Sequence, residues 1–194
     1  NQAVIQKGSR GRLRSNYYGM RGLLDTAQGR ALLWCLRDEG RPVDAGKMGI
    51  RGVLVAAAPG SYPLPAAPSL VHQLRLVFGQ GLGVLSRWGT VFRALDALHP
   101  LDPQWYLALL GVEPEQQGRG LGSALLQRFV QQVDADEAPA YLETDRPENV
   151  AFYGQVGFDV VREVEVLGIT VWCMQRPARA KTSKREKPQE PRRE

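Results

Sequence analysis

An unbroken apolar run, Trp105 to Val112 (WYLALLGV), is joined by a glycine-rich connection to a stretch, Leu121 to Val133, whose apolar residues fall three and four apart. The first reads as a strand and the second as an amphipathic helix that presents Leu125, Leu126, Phe129, Val130 and Val133 to a sheet. Ala140 to Glu143 (AYLE) reads as the next strand, Pro147 to Val156 as a short helix ended by Gly157, and Phe158 to Val166 with Thr170 to Met174 as a hairpin around Gly168. Alternation of strand and helix in this order predicts an α/β domain with parallel pairing in its sheet.

The upstream half is less regular. Arg30 to Leu36 (RALLWCL) reads as a buried strand, Arg37 to Lys47 as a polar turn region, and Gly52 to Ala57 (GVLVAA) as a second strand antiparallel to the first. Pro59, Gly60, Pro63, Pro65 and Pro68 end it. From Ser69 to Leu98 helical spacing returns, with Leu82, Leu85, Trp88, Val91, Phe92, Leu95 and Leu98 forming a stripe that reads as core-facing, stopped by Pro100 and Pro103. Residues 1 to 15 are polar and basic, and Asn16 to Ala27 has the spacing of a helix with Tyr17, Met20, Leu23 and Leu24 on one side.

Gln117, Gly118, Arg119, Gly120, Leu121 and Gly122 lie at the junction of strand 105 to 112 with the helix behind it. A glycine-rich turn at such a junction exposes main-chain N–H groups at the positive end of a helix, where phosphate oxygens bind well. A Walker A loop requires a Lys after the last glycine, and none is present. A dinucleotide fingerprint requires GxGxxG, whereas Gly118, Gly120 and Gly122 give GxGxG.

With 194 residues, 43% of them hydrophobic, the chain suits one globular domain, expected to span residues 1 to 176. The net charge of +5 is concentrated at one end: residues 177 to 194 hold seven Lys/Arg against three Glu, which is +4 and leaves +1 for the rest. That segment has three prolines and no large apolar residue, and is expected to be a disordered basic tail. A body so close to neutral makes nucleic acid an unfavoured partner. Cys35 and Cys173 form no CxxC pair, and with His72 and His99 as the only histidines no metal site is suggested. There is no leader pattern and no apolar run of about twenty residues, so the expectation is a cytoplasmic protein without a membrane partner. Asn1 in place of a methionine suggests that a natural N-terminal segment is missing.

Gln117, Gly120 and Gly122, preceded by Val112 and Pro114, fit the pattern [Q/R]-x-x-G-x-[G/A] of the GNAT N-acetyltransferase superfamily, and Leu142, Glu143, Thr144, Asn149, Phe152, Tyr153, Gly157 and Phe158 resemble its next strand and helix. The resemblance is dense over about residues 101 to 176. Within the superfamily the wording WYLALLGV, QGRGLGSALL, PAYLET, FY, GF and WCM is similar to the puromycin N-acetyltransferase group. It implies a central mixed twisted sheet with helices on both faces, whose usual first strand and helix are not recognisable upstream of residue 99.

The resemblance also implies acetyl-CoA as cosubstrate, held by Leu110, Gly111, Val112, Gln117, Gly118, Arg119, Gly120, Leu121, Gly122, Ser123, Asn149 and Phe152. Main-chain groups of 110 to 112, freed where the strand splays from its neighbour, would serve the pantetheine and the thioester carbonyl. Tyr153 stands where the family places the acid that protonates the departing thiolate, a packing tyrosine being the plainer alternative. Glu143 is the candidate base for the acceptor ammonium, and His99, whose ordinary pKa lies near neutrality, is the second candidate. Trp88, Trp105, Tyr17 and Tyr18 are candidate walls of an acceptor pocket. The expected function is acetyl transfer to a small-molecule amine by direct attack in a ternary complex. Protein N-terminal or lysine acetylation, and non-catalytic coenzyme A binding, stand as alternatives, and a homodimer stays open.

Overall fold

The structure is a computed structural model, described for residues 31–37, 49–62 and 82–179. The expected helix at 16–27, the first part of the 69–98 stretch and the tail beyond residue 179 lie outside the described residues. Among the described residues six strands form one sheet: β1 (Ala31–Arg37), β2 (Ile50–Ala57), β3 (Trp105–Val112), β4 (Ala140–Thr144), β5 (Asp159–Val166) and β6 (Ile169–Arg176), in the spatial order β1-β2-β3-β4-β6-β5. Three helices are described, α1 (Leu82–Asp96), α2 (Leu121–Ala135) and α3 (Pro147–Gly154), none of them long and apolar enough to cross a membrane.

Pairing is antiparallel at every step of the sheet except between β3 and β4. The expected parallel pairing is thus confined to the one strand pair that α2 connects, as a crossover helix requires. It is also short, consisting of Trp105 opposite Ala140 and Tyr106 opposite Tyr141. Beyond Tyr106, β3 continues beside β2 alone, where Leu110 and Gly111 face Leu54 and Val53. The register slips between Val55 and Ala56, which leaves Ala108 as the extra residue of a bulge on β3.

The core lies between the sheet and α2. Leu125, Leu126, Phe129, Val130 and Val133 are all buried, at the spacing that singles them out in the sequence, against Leu54, Trp105, Leu107 and Leu142. Each such side chain removed from water contributes about 1.5–3 kcal/mol. Tyr153 and Phe158 close the same core where α3 meets the sheet. The end of β6 is tied to this layer by Arg176, only 1% exposed, which forms an ion pair with Asp134 at 2.7 Å and donates from Nε to the Val156 carbonyl at 2.9 Å.

Three sequence expectations are corrected. β1 is a sheet edge with Leu32 and Leu33 exposed, so an apolar run read as buried is covered on one side only. No residue of α1 is buried, and Leu82 and Phe92 are 73% and 62% exposed. Its stripe was expected to face the core. It turns Trp88, Val91 and Leu95 to a cleft instead, because the sheet face that α2 and α3 pack on is already filled. Trp105, expected at a pocket wall, belongs to the core: it is buried edge-on against Phe129, and its Nε1 donates to Asp136 at 3.1 Å.

Candidate active site

The parting of β3 from β4 opens a cleft of about 870 Å³. Its walls come from Leu107 to Leu110 on β3, from Glu143 and Thr144 on β4 with the turn into α3, from Asn149 and Tyr153 on α3, and from the β5–β6 hairpin. That hairpin turns through Leu167 and Gly168, at φ 53° and 74°, the two positive values of the tight turn whose twist matches the flanking strands. Leu110, Glu143, Asn149 and Tyr153, four of the residues singled out in the sequence, therefore share one space.

The glycine turn stands beside it. Gly120 caps α2 at φ 79°, in the left-handed region, and Gly118 has φ 76°. A Cβ at either would meet nothing within 4 Å, so these positions require glycine for backbone conformation and not for want of room inside the protein. The first intrahelical bond runs from Ala124 N–H to the Gly120 carbonyl at 2.9 Å, which leaves the N–H groups of Leu121, Gly122 and Ser123 to the open side of the helix start. Gly122 adjoins Val112 and Phe152: a Cβ there would stand 3.6 and 3.7 Å from their side chains. Gln117 turns its amide back on the loop, donating to the Val112 carbonyl at 3.1 Å, and Arg119 donates to Gln116 at 3.2 Å. The side chains of Gln117 and Arg119 thus shape the turn, while its open main-chain groups are what an anion would meet. Asn149 donates to the Thr144 hydroxyl at 3.0 Å, fixing α3 to the end of β4.

Tyr153 is buried, with its ring edge-on to Phe152 and Phe158. Burial raises its pKa from 10.0 to about 12, so at neutral pH the hydroxyl keeps its proton.

Across the cleft, alternation along β3 and β4 places Trp105, Leu107, Ala140 and Leu142 toward the core and Tyr106, Tyr141 and Glu143 on the other face. The Glu143 side chain is only 6% exposed. His99 lies against it, with Nδ1 3.9 Å from Oε1 and a side chain 8% exposed. The imidazole is stacked on Tyr62 at 3.6 Å between ring centroids and meets Tyr106 and Tyr141 edge-on at 5.1 and 4.9 Å. The phenols of Tyr106 and Tyr141 are held well above their ordinary pKa, first by burial and then by the Glu143 charge. Tyr62 is raised too, by burial and by the hydrogen bond it donates to Asp96 at 3.0 Å.

This aromatic surround of Glu143 was not singled out in the sequence. Tyr106 was read within an apolar strand, and its period-two partnership with Tyr141 needs the strand pairing to be seen. The two separate candidates for the base, Glu143 and His99, prove to be neighbours. Tyr17 and Tyr18 lie outside the described residues.

The sheet of this α/β domain is thus opened between two parallel strands, with open main-chain N–H groups at a helix start beside the opening. Residues 81–158 match the acetyltransferase (GNAT) family. Over that stretch the chain is similar to GNAT acetyltransferases, and acetyl-CoA is the acyl donor this family uses. Its fold is shared by a histone acetyltransferase HPA2-related protein of Corynebacterium glutamicum, with a TM-score of 0.64 at 19% identity over 91% of this chain and 81% of that one. The ribosomal-protein-S18-alanine N-acetyltransferase of Escherichia coli is also similar, with a TM-score of 0.50 at 14% identity over 92% and 96% of the two chains.

The residues present fit acetyl-CoA. The N–H groups at the start of α2 and the open space above Gly118 and Gly120 suit a pyrophosphate, and the β4-facing edge of β3 beyond Tyr106 suits an extended amide-bearing arm.

Proposed function

We propose that this protein transfers an acetyl group from acetyl-CoA to the amine of a small molecule, by direct attack with both substrates bound. The observation that carries the proposal is the parting of β3 and β4 after a single pair of matched residues on each strand, with Tyr153 and Glu143 lining the same opening. Bound acetyl-CoA supplies a thioester carbonyl for the amine to attack.

The roles of the chain's own residues follow from their surroundings. Main-chain groups of Leu110, Gly111 and Val112 hold the donor arm, and the N–H groups of Leu121, Gly122 and Ser123 hold its phosphates, with Asn149 and Phe152 beside them. Tyr153 keeps its proton at neutral pH, gives it to the leaving sulfur, and is restored by the second proton that the attacking nitrogen sheds as it becomes the amide. Glu143 takes a proton from the acceptor ammonium, and the apolar side chains of Trp88, Val91 and Leu95 wall the space on its far side. A cleft of about 870 Å³ has the capacity of a small-ligand site, and the wording shared with the puromycin group supports the same acceptor class.

Thiol release from acetyl-CoA against a panel of alkylamines, arylamines and short peptides tests this reading. Turnover of small amines, with Glu143→Gln slow for an alkylamine at neutral pH and much less affected for an arylamine already neutral there, is the expected result. Turnover of peptides alone would replace it with protein acetylation, and cofactor binding without turnover of any acceptor would replace it with a binding domain.

A further inference from the structure

His99 lies against Glu143 and has no role so far. Two buried polar atoms, His99 Nδ1 and Glu143 Oε1, lack a hydrogen-bond partner, and they face each other at 3.9 Å. At 3.9 Å the two buried atoms stand just outside hydrogen-bond length. One proton between them satisfies both. Imidazolium and carboxylate then form a charge-assisted pair, drawn from 3.9 Å toward the 2.7–2.9 Å range typical of such bonds. The rings around His99 suit a cation as well, since Tyr62, Tyr106 and Tyr141 enclose the imidazole and aromatic rings stabilise a neighbouring positive charge.

We infer that His99 and Glu143 form a proton-sharing pair, in which His99 is the positioning residue that receives the proton Glu143 removes from the acceptor. This rests on the proposed role of Glu143 as base. The acceptor ammonium gives one proton to the Glu143 carboxylate and becomes a neutral amine. The proton passes from Glu143 to His99 Nδ1, giving an imidazolium and restoring the carboxylate. After the acetylated product leaves, it returns through Glu143 to water in the cleft, so both groups end as they began.

Among the described residues, groups facing the pair come from every element packed on it. They are Tyr62 after β2, with Asp96 of α1 on its hydroxyl, Tyr106 on β3, Tyr141 on β4, and Cys173 on β6 opposite Glu143, with Arg162 of β5 opposite Cys173. The phenols and the thiol are neutral at neutral pH, their pKa values being raised by burial first. Among the described residues, Glu143 is therefore the charge in direct contact with the imidazole.

The chain has 2 histidines, so a His72→Gln protein reports His99 alone by nitrogen-detected NMR of the imidazole. Adding Glu143→Gln should change the Nδ1 resonance of His99 at neutral pH, because the carboxylate 3.9 Å from it is lost. An unchanged resonance overturns the pair without touching the base reading. In the second arm, the pH profile of kcat/KM for one alkylamine is compared between the parent and His99→Asn, so that the acceptor's own ionisation is common to both. Turnover should fall about tenfold or more and the acid limb should change shape, since Glu143 no longer has an imidazole to pass its proton to. An unchanged limb overturns the sharing role. Parent-like turnover in Glu143→Gln would instead remove the base reading itself.

Discussion

Gly120→Ala separates what a glycine does for the fold from what it does for the ligand. At φ 79° an L-residue incurs roughly 1–2 kcal/mol in the left-handed region, and because nothing lies within 4 Å of the added Cβ, no steric cost is added to that. Gly60 provides the matched control. It has φ 77°, has nothing within 4 Å, and closes the turn in which Ser61 N–H bonds the Ala58 carbonyl at 2.9 Å, away from the start of α2. Both variants should therefore lose about the same 1–2 kcal/mol in denaturant titration. Only Gly120→Ala should lose affinity for acetyl-CoA by calorimetry. Relief of the strained conformation turns the N–H groups of Leu121, Gly122 and Ser123 away from a common target, and about 1.4 kcal/mol lost there is already a tenfold rise in Kd. Equal loss of stability with Kd within about twofold of the parent would refute phosphate binding at this helix start.

Tyr153→Phe removes the hydroxyl and keeps the ring contacts with Phe152 and Phe158, so stability should hold while turnover falls by about 10² to 10⁴, measured by thiol release. Of the 6 tyrosines, Tyr62, Tyr106, Tyr141 and Tyr153 should ionise above pH 10 in an ultraviolet titration of the folded protein. For Tyr153 the folded pKa of about 12 exceeds the ordinary 10.0, so its contribution is fully present below pH 10 and is lost as pH rises toward 12, on the order of 3 kcal/mol in all. Alkaline unfolding followed by circular dichroism should begin in that window, and Tyr153→Phe should delay it. Asp134→Ala strands the buried Arg176 guanidinium and should cost on the order of 3 kcal/mol in denaturant titration, whereas a change below about 1 kcal/mol would make the pair a surface contact.

The downstream half of the chain was legible because its signals are local. Eight apolar residues in a row, glycines at 118, 120 and 122, and apolar positions three and four apart after them each act within a few residues of chain, and strand, turn and helix form where they indicate. Tyr153 was singled out through resemblance to the family and Glu143 through strand order and that resemblance, and both line the cleft. What the sequence could not show is which faces meet. The stripe on α1 is equally consistent with packing on a core and with walling a cleft, and only the prior occupation of one sheet face by α2 and α3 decides between them. Trp105 and Tyr106 are adjacent in the chain and point to opposite sides of the sheet, one into the core and the other toward Glu143. His99 and Glu143 are separated by more than forty residues and meet because β3 and β4 pair for two residues and then part. The sequence by itself determined the elements and the chemistry of the glycine turn, since those depend on short-range sterics and hydrogen bonding. The tertiary structure alone decided the cleft and the pairing of its buried acid and imidazole, since burial and proximity between distant residues exist only once the sheet has assembled.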